Sequence, residues 1–183
     1  MIPLEQAAEY FRKTATSAVG NSQKRASLIA SLDGTALIKS RIQLKGEKAD
    51  GSDFSKYSTA EVPTFFFAGR SRTGSEAAYE RLKKKKGSFA SYQDWREANN
   101  LQTKHKDFTF SGRMMTNIKP VVLESSITKT IVEINAVNAD ERQKVKWLTE
   151  QQGNFLIPSK KELQFMSDTY NDEFSKELIK SLQ

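Results

Sequence analysis

An α+β fold is expected from three features of the sequence. Helical apolar stripes occupy both ends of the chain, and two β-rich runs lie close together in its second half. Between residues 46 and 106 the periodicity mostly fails. The chain therefore reads as one α+β domain over residues 1–183: N-terminal helices, a long irregular basic excursion, an antiparallel β hairpin, then C-terminal helices. Its 183 residues, 37% of them hydrophobic and 11 of them Phe, can bury a modest core.

The first helical pattern runs from Leu4 to Ser17, with Leu4, Ala7, Ala8, Phe11 and Ala15 at helical spacing and Pro3 suited to the start. Gly20-Asn21 is expected to interrupt it. From Ser22 a longer pattern carries Leu28, Ile29, Leu32, Ala36, Ile38 and Ile42, with Gly34 as a candidate kink. Gly46 and Asp50-Gly51 end it with turn chemistry. The excursion 46–106 is long for a loop in a compact domain, so it either builds local structure or orders against a subunit or partner. Within it, Glu76–Lys84 and SYQDWREANN read as short helical pieces. Phe65, Phe66 and Phe67 cannot all face one side of a strand, which makes them candidates for a subunit interface.

Beyond the excursion, Phe108 and Phe110 alternate as in a short strand, and Ser111 can cap a helical turn carrying Met114, Met115 and Ile118. PVVLES and ITKTIVEINAV read as a hairpin with Ile127, Ile131, Val132 and Ile134 as its apolar content. Asp140 precedes the helix ERQKVKWLTEQQ, which Gly153-Asn154 stops. The last helix starts at Ser159 with Glu162 completing a capping box, and its stripe is Leu163, Met166, Tyr170, Phe174, Leu178 and Leu182.

Charge is distributed unevenly. The formal net charge is +7, and residues 69–106 hold ten basic against four acidic side chains. A run of four, Lys83, Lys84, Lys85 and Lys86, lies near Arg70, Arg72 and Arg81. Such a run is ordinarily a solvated face; clustered Lys and Arg also gain affinity for phosphates by counterion release. Interleaved aromatics at stacking intervals are missing, which argues against a sequence-specific nucleic-acid reader.

No cofactor, metal or catalytic group is expected. The chain has no Cys and one His, which excludes thiolate chemistry, Cys-ligated metals and a His-rich centre. Gly69–Ser75 has the glycine spacing of a phosphate loop but lacks the Lys after the second Gly. Asp50, Asp53 and Glu47 lack calcium-loop spacing and read as solvated turn carboxylates. His105 reads as a surface or capping residue, and Asp94 and Glu97 beside Arg96 as surface ion pairing. No apolar run approaches the ~18 residues of a membrane span, and the amino terminus lacks a secretion pattern.

The order of short motifs is more informative than any one of them. Arg41-Ile42 is followed by Gly46, Asp50-Gly51, Phe54 and Tyr57-Ser58; after the basic stretch come Tyr92, Trp95-Arg96 and Leu101-Gln102-Thr103. Then follow Asp107-Phe108-Thr109-Phe110-Ser111-Gly112-Arg113-Met114-Met115, the hairpin, a helix, Gly153, and Phe155-Leu156-Ile157-Pro158-Ser159. Over roughly residues 28–165 this series resembles the virion morphogenesis proteins of tailed bacteriophages, which join head to tail or complete the tail. Two departures are visible: Phe stands where Leu is usual before Gly112, and Ser159-Lys160 replace the Arg common after the late Pro. The resemblance implies a non-catalytic α+β subunit of a homo-oligomeric ring at the virion neck or tail, formed in the host cytoplasm. Neighbouring connector, portal or tail proteins and non-specific genomic double-stranded DNA would be its contacts. The alternative is a basic nucleic-acid-binding or packaging-associated protein.

Overall fold

The computed structural model describes residues 4–70, 76–109 and 111–182, and within these the fold is α+β: six helices and two small antiparallel sheets of two strands each. Helix α1 runs unbroken from Leu4 to Ser40, so the expected interruption at Gly20-Asn21 is absent. A glycine costs a helix only about 1 kcal/mol, and tertiary packing outweighs that here. The buried row is Ala18, Ser22, Ala26, Ala30, Gly34, Ile38 and Ile42, one residue every fourth position. It is a row of mostly small side chains, whereas Leu32 and Ala36 of the expected stripe face solvent. Small residues along an i+4 row let other elements approach the α1 backbone closely. Gly34 does not interrupt the helix, and a Cβ there would collide with the Met166 side chain of the last helix.

That helix, α6 (Lys160–Leu182), lies antiparallel along α1. Arg25 pairs with Glu177 at 3.1 Å near one end and Arg41 with Glu162 at 2.9 Å at the other. Ser181 shares a groove with Ser17 and Ala18, so the first turns of α1 run on past α6, with Tyr10 and Phe11 exposed. The α6 stripe is only half covered: Met166, Tyr170, Phe174 and Leu178 are partly buried, and Leu163 is exposed. Its start is as expected, Ser159 and Glu162 exchanging backbone-to-side-chain bonds of 2.6 and 3.3 Å.

A π-turn, Arg41–Lys45, follows α1 and ends at Gly46, which is left-handed at φ +73°. Arg41 is buried there; besides Glu162 its guanidinium donates to the carbonyls of Glu47, Phe155 and Ile157. One side chain thus joins the end of α1, the turn after it and the chain entering α6.

The main core gathers Ile38, Ile42, Phe54, Met114, Met115 and Ile118 with Val145 and Phe155. The expected hairpin is present as β3 (Ile118–Ser125) and β4 (Thr130–Ala136), paired antiparallel from Ile118 against Ala136 to Ser125 against Thr130. Ile127 sits in the turn, largely exposed. Helix α5 (Ala139–Gln152) is capped by Asn138 accepting from the Glu141 amide, not by Asp140. The strand expected at 108–110 does not form over its described part. Phe108 has φ 52°, which no extended strand adopts, and it packs against Phe54 and Phe155 instead. Phe110 lies outside the described residues. Helix α4 (Arg113–Asn117) carries the buried Met114 and Met115 and starts at Gly112 without a side-chain cap, while Ile118 opens β3.

Residues 61–70 and 76–98 carry local structure with a second hydrophobic cluster of Phe67, Ala78, Leu82, Ala90 and Trp95. Strands β1 (Glu61–Pro63) and β2 (Phe89–Ser91) pair antiparallel, a 3-10 turn covers Thr64–Phe67, and α2 (Ala77–Lys86) and α3 (Tyr92–Ala98) complete the unit. Ser91 and Asp94 form a full capping box on α3.

Candidate functional site

The surface of this smaller unit holds most of the residues singled out from the sequence. The three phenylalanines divide as their geometry requires. A 3-10 turn advances three residues per turn, so Phe67 enters the cluster and stacks on Trp95 at 5.4 Å, while its neighbours point outward. Phe65 and Phe66 are 64% and 49% exposed, their rings stacked at 4.7 Å. Phe89, also exposed, opens the strand paired with Pro63, two residues before Phe65.

Helix α2 presents the lysine run, and its charges are not all free. Lys85 pairs with Glu97 at 2.9 Å and Lys86 with Asp94 at 2.7 Å, which ties α2 to α3. The hydrogen bond and charge of Asp94 push the Lys86 ammonium above its ordinary pKa. Arg81 donates twice to the Ala98 carbonyl, at 3.0 and 2.6 Å. The Lys83 and Lys84 side chains are exposed and make no hydrogen bond or ion pair with a described residue. Arg70 is exposed after the 3-10 turn; Arg72 and most of the Gly69–Ser75 loop lie outside the described residues.

Arg96 corrects the surface reading. It is 1% exposed, and its guanidinium donates to Gln102 O at 3.0 Å, Thr109 O at 2.7 Å and both Asp107 oxygens at 3.0 and 3.1 Å. Tyr57 donates its hydroxyl to Asp107 Oδ1 at 2.7 Å, and its ring lies under the guanidinium at 4.1 Å. The motif residues Tyr57, Arg96, Gln102 and Asp107 thus meet in one buried knot that fastens the smaller unit to the rest. No spacing rule distinguishes such an Arg from a surface one. Its position next to Trp95 on a seven-residue helix is the sole local hint.

Burial pushes the Tyr57 phenol well above its usual range, reinforced by the hydrogen bond its hydroxyl donates to Asp107. For Asp107, burial acts upward, but bonds from Gln102, Thr109 and Tyr57 and the Arg96 charge outweigh it and hold the carboxyl below its ordinary value. The Asp107 contribution to stability is therefore present above about pH 3.8 and lost as pH falls through the depressed folded value. The Tyr57 contribution is present below about pH 10.0 and lost as pH rises toward the elevated folded value. Thermal melts across pH should show Asp107→Asn flattening the acid limb and Tyr57→Phe flattening the alkaline limb. Unchanged limbs in both variants would show that the knot titrates as in the unfolded chain.

The remaining candidates have structural placements. His105 is half-buried against Gly46, its Nε2 3.0 Å from the Gln43 carbonyl, which accepts when that nitrogen carries the proton. Asp50 accepts from Ser52 in a turn, and Glu47 bridges to Asp53 across it. Among the described residues no group of three or more His, Cys, Asp or Glu is placed to hold a metal, and no helix is long and apolar enough to cross a membrane. No family model, curated protein or solved structure matches the chain.

Proposed function

We propose that this chain is a structural subunit that assembles with copies of itself and with neighbouring connector, portal or tail proteins into a ring at a phage neck or tail end, around the DNA channel. The observation that carries the reading is the stacked Phe65–Phe66 pair, standing out from the smaller unit whose helix α2 also presents Lys83 and Lys84. Exposed aromatics grouped on a firm scaffold are the usual anchors of protein interfaces. The exposed Tyr10 and Phe11, on the part of α1 beyond α6, offer a second contact surface. The order of motifs resembling virion morphogenesis proteins selects a virion ring among the possible assemblies.

Electron microscopy and light scattering on the purified chain, alone and with its neighbouring virion proteins, test this. Covering a Phe is worth roughly 1.5–3 kcal/mol, so Phe65→Ala and Phe66→Ala should each weaken assembly at least about tenfold with the subunit fold retained. A chain that stays monomeric with every neighbour, or assembly indifferent to both substitutions, overturns the reading. Lys83 and Lys84, exposed and without an ion pair among the described residues, favour a second reading, a nucleic-acid-binding protein. That reading predicts a monomer or dimer that shifts DNA with a steep salt slope, removed by Lys83→Gln with Lys84→Gln.

A further inference from the structure

A cleft of about 630 Å³ opens between α5 and the segment around Tyr92 and Phe108. It is independent of the Phe65–Phe66 surface. Its walls carry Tyr92, Phe108 and Trp147, and Trp147 is 54% exposed although aromatic and central on α5. Neither the Trp147 indole N–H nor the Tyr92 hydroxyl makes a hydrogen bond with a described residue.

An unsatisfied acceptor is buried in the wall of the cleft. Glu141, 4% exposed, lines it; Oε1 accepts from Lys144 at 2.8 Å, but Oε2 is buried with no hydrogen-bond partner among the described residues. A buried carboxylate oxygen left without a donor is costly and uncommon. A donor delivered from the cleft, with a small rotation of the carboxylate, would complete it. The charges then define what the donor belongs to. Lys144 is balanced by Glu141 and Arg96 by Asp107, whereas Lys106 donates to the Ser55 hydroxyl and has no acidic partner among the described residues. The cleft is therefore net positive, which suits a ligand carrying an anionic group as well as a donor.

We propose that this cleft binds a nucleotide, its base against Trp147 and Tyr92, a base N–H donating to Glu141 Oε2 and its phosphate near Lys106. Flat π-faces accept any base, a carboxylate reads base N–H groups, and a lysine meets phosphate as a point charge. A free mononucleotide and one residue of a single strand share this chemistry.

Trp147 provides the readout, because the other tryptophan, Trp95, is buried. Adenosine monophosphate and a short oligodeoxyadenylate are titrated against the protein by Trp fluorescence and calorimetry, with ribose 5-phosphate as the control lacking a base. The base-containing ligands should quench Trp147 and saturate. Glu141→Gln and Tyr92→Ala should each weaken binding about tenfold or more, with circular dichroism unchanged. Trp147→Phe should remove the fluorescence change while calorimetry still registers binding. An oligonucleotide binding much more tightly than the mononucleotide assigns a single strand, and equal affinity assigns a free nucleotide; both support the proposal. Failure of both to bind, ribose 5-phosphate binding equally well, or affinity indifferent to Glu141→Gln and Tyr92→Ala would overturn it.

Discussion

Replacing Arg96 by Met is expected to remove about 3–5 kcal/mol of unfolding free energy, measured by urea denaturation. The substitution keeps much of the side-chain volume, so the loss is not chiefly a cavity. It leaves Asp107 as a buried carboxylate whose compensating charge is gone, and it frees the Gln102 and Thr109 carbonyls. The Tyr57 ring also loses the guanidinium stacked on it. Asp107→Asn should cost less, because the amide still accepts from Tyr57 or Arg96. The double variant should be less destabilised than the two single losses added together, since each removes the same pair. A loss under about 1 kcal/mol for Arg96→Met would mean that water replaces the guanidinium and that the knot does not hold the smaller unit in place.

The second large effect is expected at Arg41. Arg41→Met leaves Glu162 buried without its cation and strips a donor from three carbonyls on two separate segments, for a loss of about 3–5 kcal/mol. Glu162→Gln should be milder, about 1–3 kcal/mol, because the amide oxygen still accepts while the charge is lost. The location of the damage separates this from a general loss of stability. Hydrogen exchange should rise first at the start of α6 and around Glu47, before the main core responds. Uniform exchange across the chain would show that Arg41 contributes only to the global equilibrium.

Local rules carried much of this fold. The hairpin was legible because alternating β-branched residues in two adjacent runs have few other ways to bury one face. The start of α6 was legible because Ser159 and Glu162 satisfy helix amides within four residues of chain. The turn at Gly46 was legible for a similar reason, as a left-handed position suits glycine. The α1 packing face was legible only at its end, where Ile38 and Ile42 of the expected stripe are buried, because the rest of the buried row is Ala, Ser and Gly. Those residues matter through the closeness they permit, and a search for large apolar side chains passes over them. The Phe108 strand failed for a different reason. Alternation on two positions is weak, and the pull of Phe54 and Phe155 set the backbone there.

For the candidate surfaces the division is similar. The sequence alone located the basic run and the Phe triplet, because composition records where charge and aromatic mass lie along the chain. Only the tertiary structure decided which of them remain available: Phe67 goes inward, Lys85 and Lys86 bind α3, Arg81 binds a carbonyl, and Phe65, Phe66, Lys83 and Lys84 stay outward. The buried Arg41 and Arg96 were equally beyond local reasoning. An arginine reads as a surface charge until its partners are known, and Glu162 and Asp107 reach theirs only after the chain has folded back on itself. Composition and spacing thus determined the α+β layout and the location of charge. Desolvation and pairing, which depend on neighbours distant in sequence, decided which of those charges hold the fold and which face outward.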